Sequence, residues 1–235
     1  IAFVRASEQR DRALAAERDA REQRDRALLA EADALVVLGA LNGEPEAIAQ
    51  LDRSLQIRRD LRQPESPEEA YTLYLKASLL SGAMDDGGQF PSGRAAWEAR
   101  TFARDLAVER LLRESLAMAR RLLENGQTTT ALARMSGKAK LKYDVTSVLE
   151  TAMSALSMLI TQVEVQQRHA EAAALWRVRQ DLARKDDPET GDYAREEAAR
   201  GLATALVRAG SFDEARSAIR AATDLLTANR PTSGP

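Results

Sequence analysis

Thirteen residues, EQRDRALAAERDA from Glu8, return almost unchanged as EQRDRALLAEADA from Glu22, fourteen positions later. Fourteen residues are two heptads, and from Ser7 to about Leu41 there is no proline and no glycine before Gly39. Such a stretch predicts one long helix, about 50 Å from end to end at 1.5 Å per residue. Ala6, Ala13, Ala20, Ala27 and Ala34 recur every seven residues, with Leu14, Leu28 and Leu35 beside them. Glu8 with Arg12, Glu17 with Arg21 and Glu22 with Arg26 are acid-first pairs at i,i+4, which support an exposed helix. The seam is thin, because each methylene that alanine lacks forgoes roughly 0.8 kcal/mol on burial. Residues 1–41 therefore read either as a solvated connecting helix or as a coiled coil that forms a homodimer or binds a partner.

The remainder must fold from a narrow palette. Aromatics are 4% of the 235 residues against 44% apolar, so the core has to be built from Ala, Leu and Val. That suits stacked helices and serves a sandwich or barrel poorly, so the fold class is all-α. Lys and Arg total 34 against 36 Asp and Glu, a net charge of −2, so the overall balance does not attract nucleic acid or an anionic membrane. Without cysteine there is no disulfide, thiolate nucleophile or Cys-ligated zinc, which fits the cytosol and a secreted compartment equally, and the localisation stays open, cytoplasmic or the soluble part of a membrane-anchored protein. No run of eighteen apolar residues occurs, so direct membrane insertion is not expected. Ile1 to Val4 ahead of Arg5 would fit the cut end of a membrane tether before residue 1, or a boundary inside a soluble protein.

Punctuation divides the chain further. NGEP breaks the first helix, and residues 42–84 read as a helix pair with Ile48, Leu51, Leu55 and Leu61 inward. In QPESPEE, Ser66 is placed as N-cap, Pro67 at the first helical position, and Glu68 and Glu69 at the positive helix end. Residues 85–93 are the most loop-like, and 94–228 read as further helices, followed by a flexible tail at 229–235. Phe102, Leu106, Leu111, Leu116 and Leu123 are buried candidates on a helix that stops at Asn125-Gly126. After an irregular stretch to Asp144, Val145 to Val163 follow the i, i+3, i+4 rule so closely that this is the candidate for the most buried helix.

Setting Ala172 against Ala215 also aligns Glu171 with Glu214, Leu159 with Leu202, Val163 with Leu206 and Trp176 with Ile219, an offset of 43 residues. The second copy is the fuller one: Leu202, Ala203, Leu206, Gly210, Phe212, Glu214, Ala215, Ile219 and Ala222. A helix, short turn and helix with this period resembles the tetratricopeptide repeat family, in the lengthened form of kinesin light chains and many bacterial signalling proteins. The first copy departs from the pattern at Ile160, Gln167 and Arg179. Weaker echoes lie around Gly43, Glu46 and Ala47 and in DLAVERLLRESLAMARRLLENG. The resemblance implies antiparallel helix pairs stacked as a right-handed solenoid, with a groove where Ser157, Thr161, Glu164, Arg200, Thr204 and Arg208 would bind an extended or helical peptide. A charged helix ahead of such repeats also looks like the region after the membrane helix in some bacterial serine/threonine kinases.

Other residues are weaker carriers of function. His169 is the only histidine and falls at a turn, so metal or triad chemistry has little material and no metal is expected. Asp85-Asp86 and Asp186-Asp187 read as solvated loop acids. Lys138, Lys140 and Lys142 gather most of the lysines and form a candidate basic patch for an acidic partner or a phosphate. Trp97 and Trp176 suit core packing better than base stacking. There is no glycine-rich phosphate loop and no HRD-like or DFG-like run, so the expectation is a non-enzymatic module without cofactor, whose partner is a protein or peptide.

Overall fold

A computed structural model describes residues 2–41, 46–62, 64–82, 94–128, 147–184 and 188–228. Eight helices occur among them: α1 (Ala2–Leu41), α2 (Glu46–Asp60), α3 (Pro67–Gly82), α4 (Arg94–Glu124), α5 (Val148–Val165), α6 (His169–Ala183), α7 (Pro188–Arg208) and α8 (Phe212–Ala228). The described residues contain no strand. Each helix packs chiefly on the helices before and after it in the chain, so the array is repeat-like and all-α.

Cross-links give the antiparallel sense of neighbouring helices. Ser54 Oγ on α2 donates to the Ala32 carbonyl on α1 at 2.8 Å, while Leu51 packs on Gly39 further along, so α2 runs back against α1. Ser115 Oγ on α4 donates to the Ala70 carbonyl on α3 at 2.7 Å, and Arg121 meets Glu65 at 2.5 Å one turn beyond. Small hydroxyls can be buried here because each reaches a backbone carbonyl, which removes the cost of an unmade hydrogen bond.

The core runs along the array as a continuous band, with Leu51, Leu73, Leu112, Leu156 and Leu159 fully buried. α5 is its centre. Over its 18 residues the mean hydropathy is 1.2, enough by length and composition to cross a bilayer, but Val148, Ala152, Leu156, Leu159 and Val163 are buried against neighbouring helices. A capping box starts it: Glu150 N donates to Ser147 Oγ at 3.0 Å and Ser147 N to Glu150 Oε2 at 2.9 Å. Ser66 caps α3 as its position suggests, accepting from Glu69 N at 3.2 Å.

Two expectations about burial change. α1 buries Ala32, Val36, Gly39 and Ala40, whereas Ala27 and Ala34 of the seven-residue stripe are exposed. An α-helix turns every 3.6 residues, so a strict period of seven drifts off the face that a straight neighbour covers. Leu106 is 52% exposed, because the buried stripe of α4 passes through Val108, Leu112, Ser115, Ala119 and Leu122.

The 43-residue offset holds at the level of single hydrogen bonds. At the end of α5, Gln166 N, Gln167 N and Arg168 N donate to the carbonyls of Gln162, Glu164 and Val163; at the end of α7, Ala209 N, Gly210 N and Ser211 N donate to those of Ala205, Val207 and Leu206. Every donor and acceptor in the second turn is the first plus 43. Gly210 has φ +77°, and Gln167 adopts φ +59° in its place. A side chain in the left-handed region costs of order 1 kcal/mol, and three donated N–H groups hold Gln167 there. Gln167→Gly is therefore expected to raise stability by about 0.5–1 kcal/mol in urea denaturation.

Candidate interaction face

The last helix pair carries an open depression of about 490 Å³, lined by Arg200, Ala203, Thr204, Val207 and Arg208 of α7 and Ile219, Ala222 and Thr223 of α8. Val207 and Ile219 are 46% and 49% exposed, high for apolar residues on an amphipathic pair. Thr204 Oγ1 donates to the Arg200 carbonyl at 3.0 Å and Thr223 Oγ1 to the Ile219 carbonyl at 2.9 Å, so both hydroxyls are satisfied within their own helices. The floor is accordingly apolar, and its charges are two guanidinium groups. Arg200, exposed, lies 3.5 Å from the part-buried Glu196 in an i,i+4 pair, and Arg208 makes no ion pair among the described residues.

Subtracting 43 from these positions gives Ser157, Ile160, Thr161, Glu164, Val165, Trp176, Arg179 and Gln180 on α5 and α6. In that earlier pair much of the equivalent face is covered by α7. The Trp176 indole packs onto Gly201, where an added Cβ would stand 2.4 Å from Cε2 of the ring. Arg179 Nη2 donates to Glu197 at 2.7 Å, its Nη1 meets Ser157 Oγ, and its guanidinium stacks 5.6 Å from the Trp176 ring centre. Trp176 Nε1 donates to Glu164 Oε1 at 3.0 Å. The joint uses Arg179, Trp176 and Glu164, and the next pair has Ala222, Ile219 and Val207 there.

The six residues expected to form one groove thus separate. Arg200, Thr204 and Arg208 come together. Ser157 and Glu164 are held inside the joint with α6 and α7 by Arg179 and Trp176. Thr161 lines another depression of about 300 Å³ with Ser81, Asp105, Val108, Met158, Gln162 and Val165, between α3, α4 and α5. There Gln162 Nε2 donates to the Asp105 carbonyl at 2.6 Å. Residue pattern did not single out Val207 or Ala222 as groove residues, although the alignment of Trp176 with Ile219 held the signal.

A second polar constellation joins α4 to the α5–α6 turn. Glu109 accepts from Arg113 and, at 2.8 Å, from Arg168, while Arg168 also meets Glu171 at 2.5 Å and Glu171 meets Arg113. Burial pushes the Glu109 carboxyl up, but the hydrogen bonds from Arg168 and Arg113 outweigh it and hold it below the ordinary value. Two acids and two arginines close on one another, which suits a clamp between helices. His169 opens α6, half-buried, with no hydrogen bond to Nδ1. Among the described residues no group of three or more His, Asp or Glu side chains is placed to hold a metal ion. Lys138, Lys140, Lys142, Asp85, Asp86, Asp186, Asp187 and the Trp97 side chain lie outside the described residues.

No protein-family model matches the chain, and no curated protein matches it.

Proposed function

We propose that the chain is a non-enzymatic protein–protein interaction scaffold of the tetratricopeptide kind, its helix pairs stacked as a right-handed solenoid, serving as a regulatory or sensor module of a larger bacterial signalling protein. One observation carries the scaffold reading: two helix pairs align at 43 residues, and among the described residues the later pair leaves open a face much of which is covered in the earlier pair. A repeat with an open apolar face and two exposed cations, of which Arg208 has no ion pair among the described residues, is equipped to hold another chain. The signalling context rests on layout alone, a long charged helix ahead of the repeats. The face offers guanidinium groups, methyls and hydroxyls already bonded to their own helices, which suits binding better than proton or group transfer.

The test is to select peptides from a randomised display library against the whole chain and to titrate the selected peptides into variants. Arg200→Ala and Arg208→Ala are each expected to weaken binding about tenfold, about 1.4 kcal/mol, while Arg220→Ala on the exposed side of α8 changes it less than about twofold. Equal effects at all three positions, or no selectable peptide, would overturn this reading.

A further inference from the structure

We propose that the face between α7 and α8 takes an acidic amphipathic helix from a partner protein, laid against this pair as α7 is laid against α5 and α6. The inference rests on the scaffold reading and adds the conformation, charge and shape of the ligand.

The chain itself shows what fits. At the earlier joint a large side chain, Trp176, projects onto a helix that carries glycine at the point of contact, and a cation, Arg179, reaches an acid, Glu197, on that helix. Forty-three residues later Ile219 stands in the place of Trp176, smaller and half exposed. A helix coming over Ile219 has to approach closely, so it needs a small residue there; the shorter isoleucine admits alanine as well as glycine. Position 222 is alanine where the earlier joint has Arg179, and the cations now come from α7, as Arg200 and Arg208. Eight residues separate them, about 12 Å along the helix axis. The complementary ligand carries two acids about two turns apart, with a small residue between them and apolar neighbours on the same stripe.

Two other occupants fit less well. The backbone lining the face is helical, so most of its N–H and C=O groups are paired within α7 and α8, and the Val207 carbonyl accepts from Gly210 N in the turn. An extended strand would bury its own backbone groups against an apolar floor with few free partners, whereas a helix arrives with those bonds made. A second copy applying the same face would set Arg200 and Arg208 against their own kind, and like charges across an interface are unfavourable.

The experiment uses the full chain and two labelled, amidated 21-residue peptides of high helix propensity, followed by fluorescence anisotropy. They share a Leu-rich stripe with a central alanine and differ only in Glu or Lys at two positions flanking it, seven residues apart. The Glu peptide is expected to bind at least tenfold more tightly than the Lys peptide, and the Arg200→Glu/Arg208→Glu chain should invert that order. Changing the central alanine to phenylalanine should weaken the Glu peptide about tenfold. Both arginines are exposed, so the reversed chain is expected to keep its helicity, which circular dichroism checks. Three results overturn the proposal: no binding of the Glu peptide at 1 mM, a preference that survives charge reversal, or equal binding when proline breaks the peptide helix. If the display-selected peptides still need Arg200 and Arg208 after a proline has been placed in them, the scaffold reading stands and the helical ligand falls. If no peptide depends on either arginine, both fall.

Discussion

Arg58→Ala is expected to cost about 3 kcal/mol, the lower end of the penalty for breaking a buried ion pair by removing one partner, because Asp33 is only part-buried. Arg58 is 5% exposed and bridges three parts of the chain. One nitrogen meets Asp33 on α1, and the other donates to Ser66 Oγ at the start of α3, at 3.3 Å. The acids Glu68 and Glu69 lie in the first turn of α3. Without the guanidinium, Asp33 keeps its desolvation and loses its compensation. Burial already holds the Asp33 carboxyl above its ordinary value, with Arg58 opposing that rise and Glu68 adding to it. A carboxyl raised on folding contributes stability that is complete below its unfolded value, 3.8, and that is lost as pH rises through its folded value. Removing Arg58 raises the folded value further, so the variant's deficit should be larger at pH 7 than at pH 4. Urea denaturation at both pH values, with Arg58→Ala/Asp33→Asn recovering part of the loss at pH 7, checks the account. A deficit under about 1 kcal/mol and equal at both pH values would show that the pair is not a structural tie.

The second large effect is predicted at Gly201. Alanine there would place its Cβ 2.4 Å from the Trp176 ring. The ring is pinned by its hydrogen bond to Glu164 and by Arg179 stacked over it, so it has little room to retreat. Overpacking of this kind costs about 1–3 kcal/mol, occasionally more, and alanine regains up to about 1 kcal/mol in helix propensity. A net loss of about 1–2 kcal/mol is expected on that reckoning. The decisive measurement is the double-mutant cycle. In a Trp176→Ala background the clash disappears, and Gly201→Ala should become neutral or mildly stabilising. A loss of the same size in both backgrounds would place the constraint elsewhere than the indole.

Much of this architecture is legible in the residues. The all-α class follows from a core that must be made of Ala, Leu and Val. The repeat of 43 is visible from Trp176 and Ile219, Ala172 and Ala215, because paired helices reuse the same positions for contact. The turn was harder: Gln167 departs from the expected glycine, yet the chain adopts the same left-handed turn, since the surrounding carbonyls fix the backbone whatever the side chain. The alanine stripe of α1 suggested a seam, but Ala27 and Ala34 are exposed while Val36 and Ala40, off that stripe, are buried. Half of the expected groove could not be placed from pattern, because Ser157 and Arg200 share a repeat position and differ in which of the described helices packs over them. A third helix covers one and not the other, and that is a fact of neighbours rather than of residue type. The same reasoning explains why Val207, a chemically ordinary core residue, is half exposed.

That each helix leans chiefly on its predecessor and successor also sets how the array comes apart. Contacts close in sequence form quickly, and the free energy of such a chain is a sum of local joints with little holding distant parts to one another. α8 is held chiefly by α7. It can detach at the cost of one joint while Leu156 and Leu159 of the central helix stay packed. Since Ile219 and Thr223 of that same helix form one wall of the open face, a ligand seated there would rest on an element held by one joint, and binding would double as a latch on the end of the fold.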